Sequence, residues 1–497
     1  MAVRKTRKQK YNNEFCDNDM TFQDCELAIL RHAVDETEHI QGKKIANSEE
    51  VKKIIEIVEK FIMDKRLICY GGTAINNILP KSAQFYNKDV EIPDYDFYSP
   101  DALAHAKELA DIYHAVGYKE VEAKSGMHVG TFKVFVNFIP VADITHIPKP
   151  LFKSIAKEAV TVAGILYSPP NLLRMNMYLE LSRPAGDVSR WEKVLKRLTL
   201  LNEYYPMDIH GFNCSAVDFQ RKMDTHKNEG EKIYMTIRDS FIDQGVVFFG
   251  GYASSLYSRY IHTKEKRRQL QNAPDFDVLA DDPERTALIV CEKLKEVGIS
   301  NARRVFHPEV GEIIPYHIEI KVGEESLAFI YKPAACHNYN TIMIDDKEVY
   351  VATIDTILSF YFAFYYADKP YYYRDRILCM AKYLFDLEQK NRLSQNGLLK
   401  RFSIQCYGNQ PTVEDIRAEK AAKYKDLKER KDDPEYELWF LKYDPAETET
   451  KKKVEKPETK KKSRTYKAKN PEKDKKIPAE RKTQKWRMYP KKKYYQY

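Results

Sequence analysis

Hydrophobic positions follow two rhythms along this chain, and the switches between them outline its elements. From residue 23, CELAILRHAVDETEHI and then SEEVKKIIEIVEKFIMDKRL place apolar residues three and four apart, the spacing of helices with one buried face. LICYGGTAINNIL reads as a short apolar strand, a Gly-Gly turn and a helix start. A polar loop leads to DYDFYSP, then to the amphipathic helix DALAHAKELADIYHAVG. FKVFVNFIPVADIT alternates and then runs apolar, as strands do. Residues 158–204 read as helical, interrupted at SPPN and SRPAGD.

The same order then returns. A helical stretch near 217–240 leads into VVFFGGYASSLYSRYI, and PDFDVL follows a polar, basic loop. DPERTALIVCEKLKEVG is amphipathic, and YHIEIKVGEESLAFIY is two strand-like runs joined at Gly323. VATIDTILSFYFAFYYADKPYYYRDRILCMAKYLFDLEQ is helical with a break at DKP. Gly71-Gly72-Thr73-Ala74 lies over Gly250-Gly251-Tyr252-Ala253, and Asp94-Tyr95-Asp96-Phe97 over Asp275-Phe276-Asp277-Val278. Val141 to Thr145 lies over Leu327 to Tyr331, and Ser182-Arg183-Pro184 over Asp368-Lys369-Pro370. The offsets are 179, 181, 186 and 186 residues, which predicts an internal duplication. The expected fold class is α/β (α+β): two tandem units, each a small mixed sheet with helices. The expected divisions are a basic arm (1–20), a first unit (21–210), a second unit (211–440) and a basic tail (441–497).

Composition refines this picture. The chain has 497 residues and a net charge of +9, with 82 Lys+Arg and 73 Asp+Glu. Residues 451–497 carry 20 Lys+Arg against 5 Asp+Glu, so the body before them is mildly acidic and the tail holds the basic character. The longest apolar runs, such as Val246-Val247-Phe248-Phe249, fall far short of the roughly 20 residues a membrane span needs. No apolar run follows the basic start MAVRKTRKQK, so a secretory signal is not expected there. The eight cysteines, at 16, 25, 69, 214, 291, 336, 379 and 406, form no CxxC pair and no zinc spacing with His. They read as reduced thiols in a cytosolic compartment.

The carboxylates of the first unit carry the candidate chemistry. Asp94 and Asp96 are one residue apart, so on a strand they share a face. Adjacent carboxylates repel unless a cation neutralises them, and Mg²⁺ suits oxygen ligands. Asp143 ends the apolar run IPVAD, where a neighbouring strand would set it beside that pair. Three carboxylates could hold two ions about 4 Å apart, the clamp for an in-line phosphoryl displacement. Gly71 and Gly72 would let backbone N–H groups approach a phosphate, with the following helix start and the Thr73 hydroxyl assisting. The second unit keeps the glycines and Asp275/Asp277 but puts Tyr252 for Thr73 and Phe329 for Asp143, so it reads as a scaffold without catalysis. Arg190, Lys193 and Arg197 share one helix face that suits a triphosphate, with Trp191, Val194, Leu195 and Leu198 opposite; a plain solvated face reads equally well. Arg174 sits in apolar LLRMNMYLE, where a charge needs a partner, phosphate or acidic side chain. In the tail, Trp486, Tyr489, Tyr494 and Tyr495 between lysines suit single-stranded RNA, as does the basic loop KEKRRQLQ at 264–271.

GGTAIN, DYDF and VADIT together resemble the motif of DNA polymerase β-like nucleotidyltransferases. The tandem layout, with SRPAGDVSRWEKVLKRL after the first unit, is similar to the poly(A) polymerase catalytic subunits of nucleocytoplasmic large DNA viruses, over about residues 20–440. One departure is the 21 residues between Gly72 and Asp94, lengthened by KSAQFYNKDVEIP. The resemblance implies two nucleotidyltransferase-like domains, the first active, and template-independent transfer of AMP from ATP to an mRNA 3′ end with two Mg²⁺ or Mn²⁺ ions. It assigns metal binding and catalysis to Asp94, Asp96 and Asp143, and the phosphates to Gly71, Gly72 and Thr73, with Asn76 supporting the turn. Arg174, Arg190, Lys193 and Arg197 would add nucleotide contacts. It implies an RNA 3′ end as partner, a second copy or another subunit for processivity, no membrane, and work in the host cytoplasm at the viral factory or packaging in the virion. Two alternatives stay open: a nucleotidyltransferase with another product, such as oligoadenylate or a uridylate tail, and an RNA-binding processivity or scaffold subunit with a vestigial site.

Overall fold

Alternation of apolar and polar residues builds two eight-stranded mixed sheets in this computed structural model. It describes residues 14–447 except 18–19, 47, 88–89, 208, 210–213, 215–228 and 262–274. The first sheet contains β1 (Ile68–Cys69), β2 (Tyr95–Ser99), β3 (Val121–Ser125), β4 (Thr131–Val136), β5 (Ile139–His146), β6 (Val160–Val162) and β7 (Ile165–Tyr167). The second contains β8 (Val247–Phe249), β9 (Phe276–Leu279), β10 (Ala302–His307), β11 (His317–Val322), β12 (Glu325–Tyr331), β13 (His337–Ile344) and β14 (Lys347–Ala352). Two short strands complete them, β15 (Cys406–Tyr407) beside β13 and β16 (Lys442–Tyr443) beside β3.

The strand orders are β16-β3-β4-β5-β2-β1-β7-β6 and β10-β11-β12-β9-β8-β14-β13-β15. Without the two short strands they match one for one. Strand senses match too: β2 and β5 run parallel, as do β9 and β12, while β1 and β2, like β8 and β9, run antiparallel. Asp96 pairs with Asp143 in the first sheet and Asp277 with Phe329 in the second, so the offsets read from the sequence are the registers of the fold.

Helices cover the sheets. α1 (Phe22–Ala46) and α2 (Glu49–Lys65) precede β1; the buried face expected of α1 is not there, since among its described side chains only Cys25 is buried and Leu30, Val34 and Ile40 are exposed. The Ser48 hydroxyl caps α2 by accepting from Val51 N–H at 3.2 Å, and Ile54, Val58, Phe61 and Ile62 form its buried face. α3 (Gly71–Ile78) follows β1, α4 (Ala102–Val116) follows β2, and α5 (Lys149–Ala156) follows β5. α6 (Pro170–Leu181) and α7 (Trp191–Tyr204) end the first repeat; α8 (Gly230–Asp243), α9 (Gly250–Tyr257) and α10 (Pro283–Glu296) belong to the second, with α11 (Ile354–Ala367) and α12 (Arg374–Lys390) repeating α6 and α7. α11 is buried from Ile354 through Tyr366 because it packs against α5, α6 and α12 at once. One hydrophobic core runs through both repeats, from Ile54 to Leu398 and Leu441.

Several expectations change. Residues 160–167 form the hairpin β6–β7, not helix; Ala163 and Gly164 take positive φ (+49° and +86°) in its two-residue turn. Three-residue strands leave too little alternation to separate from a helical pattern. The equivalent hairpin β13–β14 was equally silent. β16 returns to the first sheet, where Trp439 O accepts from the Ser125 hydroxyl at 2.8 Å. Residues 441–443 are therefore part of the fold and not tail. The chain to Glu449 is one compact unit, and the basic residues beyond it, like the 264–271 loop, lie outside the described residues.

The cysteine expectation is corrected. Cys16 pairs with Cys25, Cys214 with Cys379 and Cys336 with Cys406, at Cα–Cα separations of 5.1, 5.5 and 5.2 Å. Cys69 and Cys291 remain thiols. Linear spacing carries no record of which cysteines the fold brings together, and proximity is what a disulfide requires. No helix among the described residues is long and apolar enough to cross a membrane.

Candidate active site

β1 ends at Cys69 and the chain turns into α3 at Gly71, whose φ of +74° favours glycine. The turn is stitched to the acidic strand twice. Tyr70 N–H donates to Asp96 O at 2.9 Å, and the Thr73 hydroxyl donates to Asp94 O at 2.8 Å. A Cβ on Gly71 would stand 2.5 Å from Asp96 Oδ2, and one on Gly72 2.5 Å from the Tyr86 hydroxyl and 2.9 Å from Arg197 Nη1. Gly71 is required by its positive φ and by Asp96 above it, while a side chain at Gly72 would displace the ends of Tyr86 and Arg197.

β2 puts Tyr95, Phe97 and Ser99 inward, so Asp96 and Tyr98 share the opposite face. Asp143 on β5 is the cross-strand neighbour of Asp96, and Lys133 on β4 is the neighbour of Asp143. The Lys133 ammonium donates to Asp143 Oδ2, while Asp143 Oδ1 is buried without a hydrogen-bond partner. Burial, then the charges of Asp94 and Asp143, push Asp96 up to about 7. Burial and Asp143 raise Asp94 as well. The three acids thus feel one another electrostatically. Among the described residues no three Asp, Glu, His or Cys side chains stand close enough to form a ready metal cluster. The donor chemistry nevertheless suits a hard cation: one ammonium faces three carboxylates, and a buried carboxylate oxygen has no partner.

Asp94 and Asp96 line a cleft of about 1030 Å³ with Gly71, Gly72, Thr73, Asn76, Arg190, Lys193 and Arg197, whereas Asp143 and Lys133 are not among its lining residues. Asn76 is buried, and its Oδ1 accepts from Phe85 N–H and Tyr86 N–H at 2.8 and 2.9 Å. It supports the inserted loop rather than the glycine turn. That loop brings Tyr86, whose hydroxyl accepts from Arg197 Nη2 at 2.6 Å, so the insertion forms a wall of the cleft. Arg190 pairs with Glu180 at 3.1 Å. Val194 and Leu198 are buried on the opposite face of α7, as its periodicity predicts.

Arg174 departs from its expected place. Its guanidinium is 1% exposed and donates to Asn202 Oδ1 at 2.8 Å and Asn171 Oδ1 at 2.7 Å, with the Phe385 ring 5.7 Å away. Burial lowers it to about 10. It packs between helices of the two repeats instead of lining the cleft, and its partners are neutral amides, neither phosphate nor acid. Sequence reasoning also missed Lys133, Tyr70, Tyr98 and Glu312. Lys133, a charge inside the alternating run FKVFV beside the acids, and Tyr98, two residues past Asp96, were findable by period; Glu312 had no signal.

The second repeat places Asp275 and Asp277 alike, but its pocket is closed to about 20 Å³. Arg376, which follows Arg190 by the same 186 residues that separate Asp143 from Phe329, donates to Asp275 from a nearly buried position. Its guanidinium, held charged by Asp275 and Asp277 against the cost of burial, supplies the positive charge that pair needs.

Residues 56–187 match the family model described as poly(A) polymerase catalytic subunit. An African swine fever virus (strain Badajoz 1971 Vero-adapted) protein described as a poly(A) polymerase catalytic subunit is 34% identical over 176 residues, 34% of this chain and 37% of that protein. Its counterpart in Acanthamoeba polyphaga mimivirus is 28% identical over 285 residues, 54% of this chain and 46% of the relative. The chain thus spans less than half the length of these curated relatives. The crystal structure of the Megavirus polyadenylate synthase superposes over 91% of this chain and 90% of that one, with a TM-score of 0.73 at 19% identity. The matched segment contains both glycines and all three acids, and the resemblance read from their motif is borne out: residues 56–187 match the poly(A) polymerase catalytic-subunit model, within a fold like that of the Megavirus polyadenylate synthase.

Proposed function

We propose that this protein is a template-independent polynucleotide adenylyltransferase that moves AMP from ATP onto the 3′ hydroxyl of single-stranded RNA. The observation that carries the reading is the register of β2 and β5, which sets Asp96 beside Asp143 beneath a glycine turn that leaves no room for a side chain over Asp96. The N–H groups at Gly71 and Gly72 and the start of α3 receive the β- and γ-phosphates. Lys193 and Arg197 on α7 neutralise them, and Arg190 exchanges its Glu180 partner for phosphate. Asp94, Asp96 and Asp143 would hold Mg²⁺ or Mn²⁺, which when bound neutralises charge on the transferring group and acidifies the attacking hydroxyl. The RNA 3′ oxygen bonds to the α-phosphorus as the bond to the β-phosphate oxygen breaks, and pyrophosphate leaves. Asp143 Oδ1, buried and without a hydrogen-bond partner, would serve as a cation ligand beside Asp96. The second repeat is a silent scaffold. The basic tail holds RNA nonspecifically, and processivity comes from a second copy or another subunit. A cytoplasmic site of action rests on this function alone, since the cysteines no longer argue for it.

Purified protein with ATP, Mg²⁺ or Mn²⁺ and a short RNA tests the reading. Asp94→Ala and Asp143→Ala abolish AMP incorporation with folding intact, whereas Asp277→Ala keeps it. RNA binding without elongation by the wild-type chain would instead favour a scaffold subunit.

A further inference from the structure

Glu312 reaches the cleft from outside the catalytic repeat. It stands on the turn between β10 and β11, closed by the Val310–Ile314 bridge. Its neighbour Gly311 is seated on the first repeat, where a Cβ would lie 3.4 Å from Pro148 Cδ. The turn is therefore held in place, and Glu312 lines the cleft beside Tyr98, Asn176 and Glu180. Its charge acts on Tyr98 and Arg183. It makes no hydrogen bond or ion pair among the described residues.

An unpaired carboxylate is misplaced beside a triphosphate, since like charges repel. It suits the part of a nucleotide that carries hydrogen-bond donors and no anion, the nucleoside. The surroundings agree. Tyr98 lies two residues past Asp96 on β2, on the side away from the glycine turn, and stacks on Tyr70 with ring centroids 4.1 Å apart, an aromatic surface for a base. Asn176 Nδ2 donates to the Tyr98 hydroxyl at 3.4 Å. In the second repeat the positions matching Tyr98, Asn176 and Glu180 hold Leu279, Phe362 and Tyr366, all buried. The places of Tyr98 and Asn176 are thus taken by apolar side chains in the repeat whose pocket is closed.

We propose that Glu312, supplied by the silent repeat, selects the incoming base by accepting a hydrogen bond from the exocyclic amino group of adenine. The proposal rests on the adenylyl-transfer reading above. Guanine carries a carbonyl oxygen where adenine carries that amine, and a carboxylate repels it. Glu312 is thus a specificity-determining residue, and the second repeat takes part in substrate choice although it performs no chemistry.

The test uses the full chain with one RNA primer and either ATP or GTP. Glu312→Gln keeps the shape while offering an amide N–H to the guanine carbonyl; Glu312→Ala removes the contact. The ratio of kcat/KM for ATP over GTP falls about tenfold to a hundredfold in both, the range of a hydrogen bond to a charged acceptor, and GTP use rises in Glu312→Gln. A general loss of packing lowers both nucleotides together and leaves the ratio alone. An unchanged ratio in both variants, with ATP still incorporated, overturns the role of Glu312 and leaves the transferase reading standing. A wild-type chain that transfers neither nucleotide overturns that reading and this proposal with it.

Discussion

Asp96 shows how much of this site is electrostatic tension. Its carboxyl is pushed up to about 7 because burial and two like charges disfavour its ionised form. An acid whose folded value exceeds its unfolded value near 3.9 contributes stability below the unfolded value and loses it as pH rises through the folded one. The metal-free protein therefore weakens between about pH 4 and 7 on this account. Asp96→Asn, which removes the charge and keeps the shape, raises the melting temperature in EDTA at pH 8 and has no effect near pH 4. A tenfold change in acid strength corresponds to about 1.4 kcal/mol, so the gain at pH 8 is at most about 4 kcal/mol. Equal melting of the two proteins at pH 8 would remove the claim that these acids strain one another. Legibility differs residue by residue here. Asp94, Asp96 and Tyr98 follow from a period of two, whereas the commitment of the Thr73 hydroxyl to Asp94 O depends on a turn whose path the letters do not reveal.

Among elements, the loop inserted before β2 is the informative one. It looked like a lengthened connection, yet Asn76 pins it and Tyr86 carries it onto Arg197. Tyr86→Phe deletes only the hydroxyl. The expected result is a KM for ATP raised about tenfold, kcat nearly kept, and stability changed by about 1 kcal/mol, measured by steady-state kinetics and thermal melting. A fall in kcat with KM unchanged would place the loop in the chemistry instead of in nucleotide binding. α7 was legible because one side of its sequence is apolar and packs inward. The hairpin β6–β7 was not, since its turn is defined by backbone angles at Ala163 and Gly164.

At the level of the whole molecule, one architecture carries two outcomes. Both repeats keep the glycine turn and the paired acids, but Asp275 is answered by Arg376 from within the chain, while Asp94 and Asp96 face an open cleft. Removing an acid should accordingly have opposite effects in the two. Asp275→Ala takes from a buried guanidinium the carboxylate it hydrogen-bonds, leaving Asp277, and lowers stability by about 3 kcal/mol, with AMP transfer per folded molecule retained. Asp94→Ala costs no stability and ends transfer. Denaturant melts paired with primer extension separate these outcomes, and a stable, inactive Asp275→Ala would reverse the roles of the repeats.

The duplication, the pairing of the acids and the glycine turn were determined by sequence alone, because each rests on residue type at a fixed short spacing or on a repeated order. Tertiary structure decided the rest. It buried Arg174 among amides, joined six cysteines, returned β16 to the first sheet and brought Glu312 across from the other repeat. Most of these contacts join residues far apart along the chain, and local periodicity holds no information about which distant surfaces a shared core will press together.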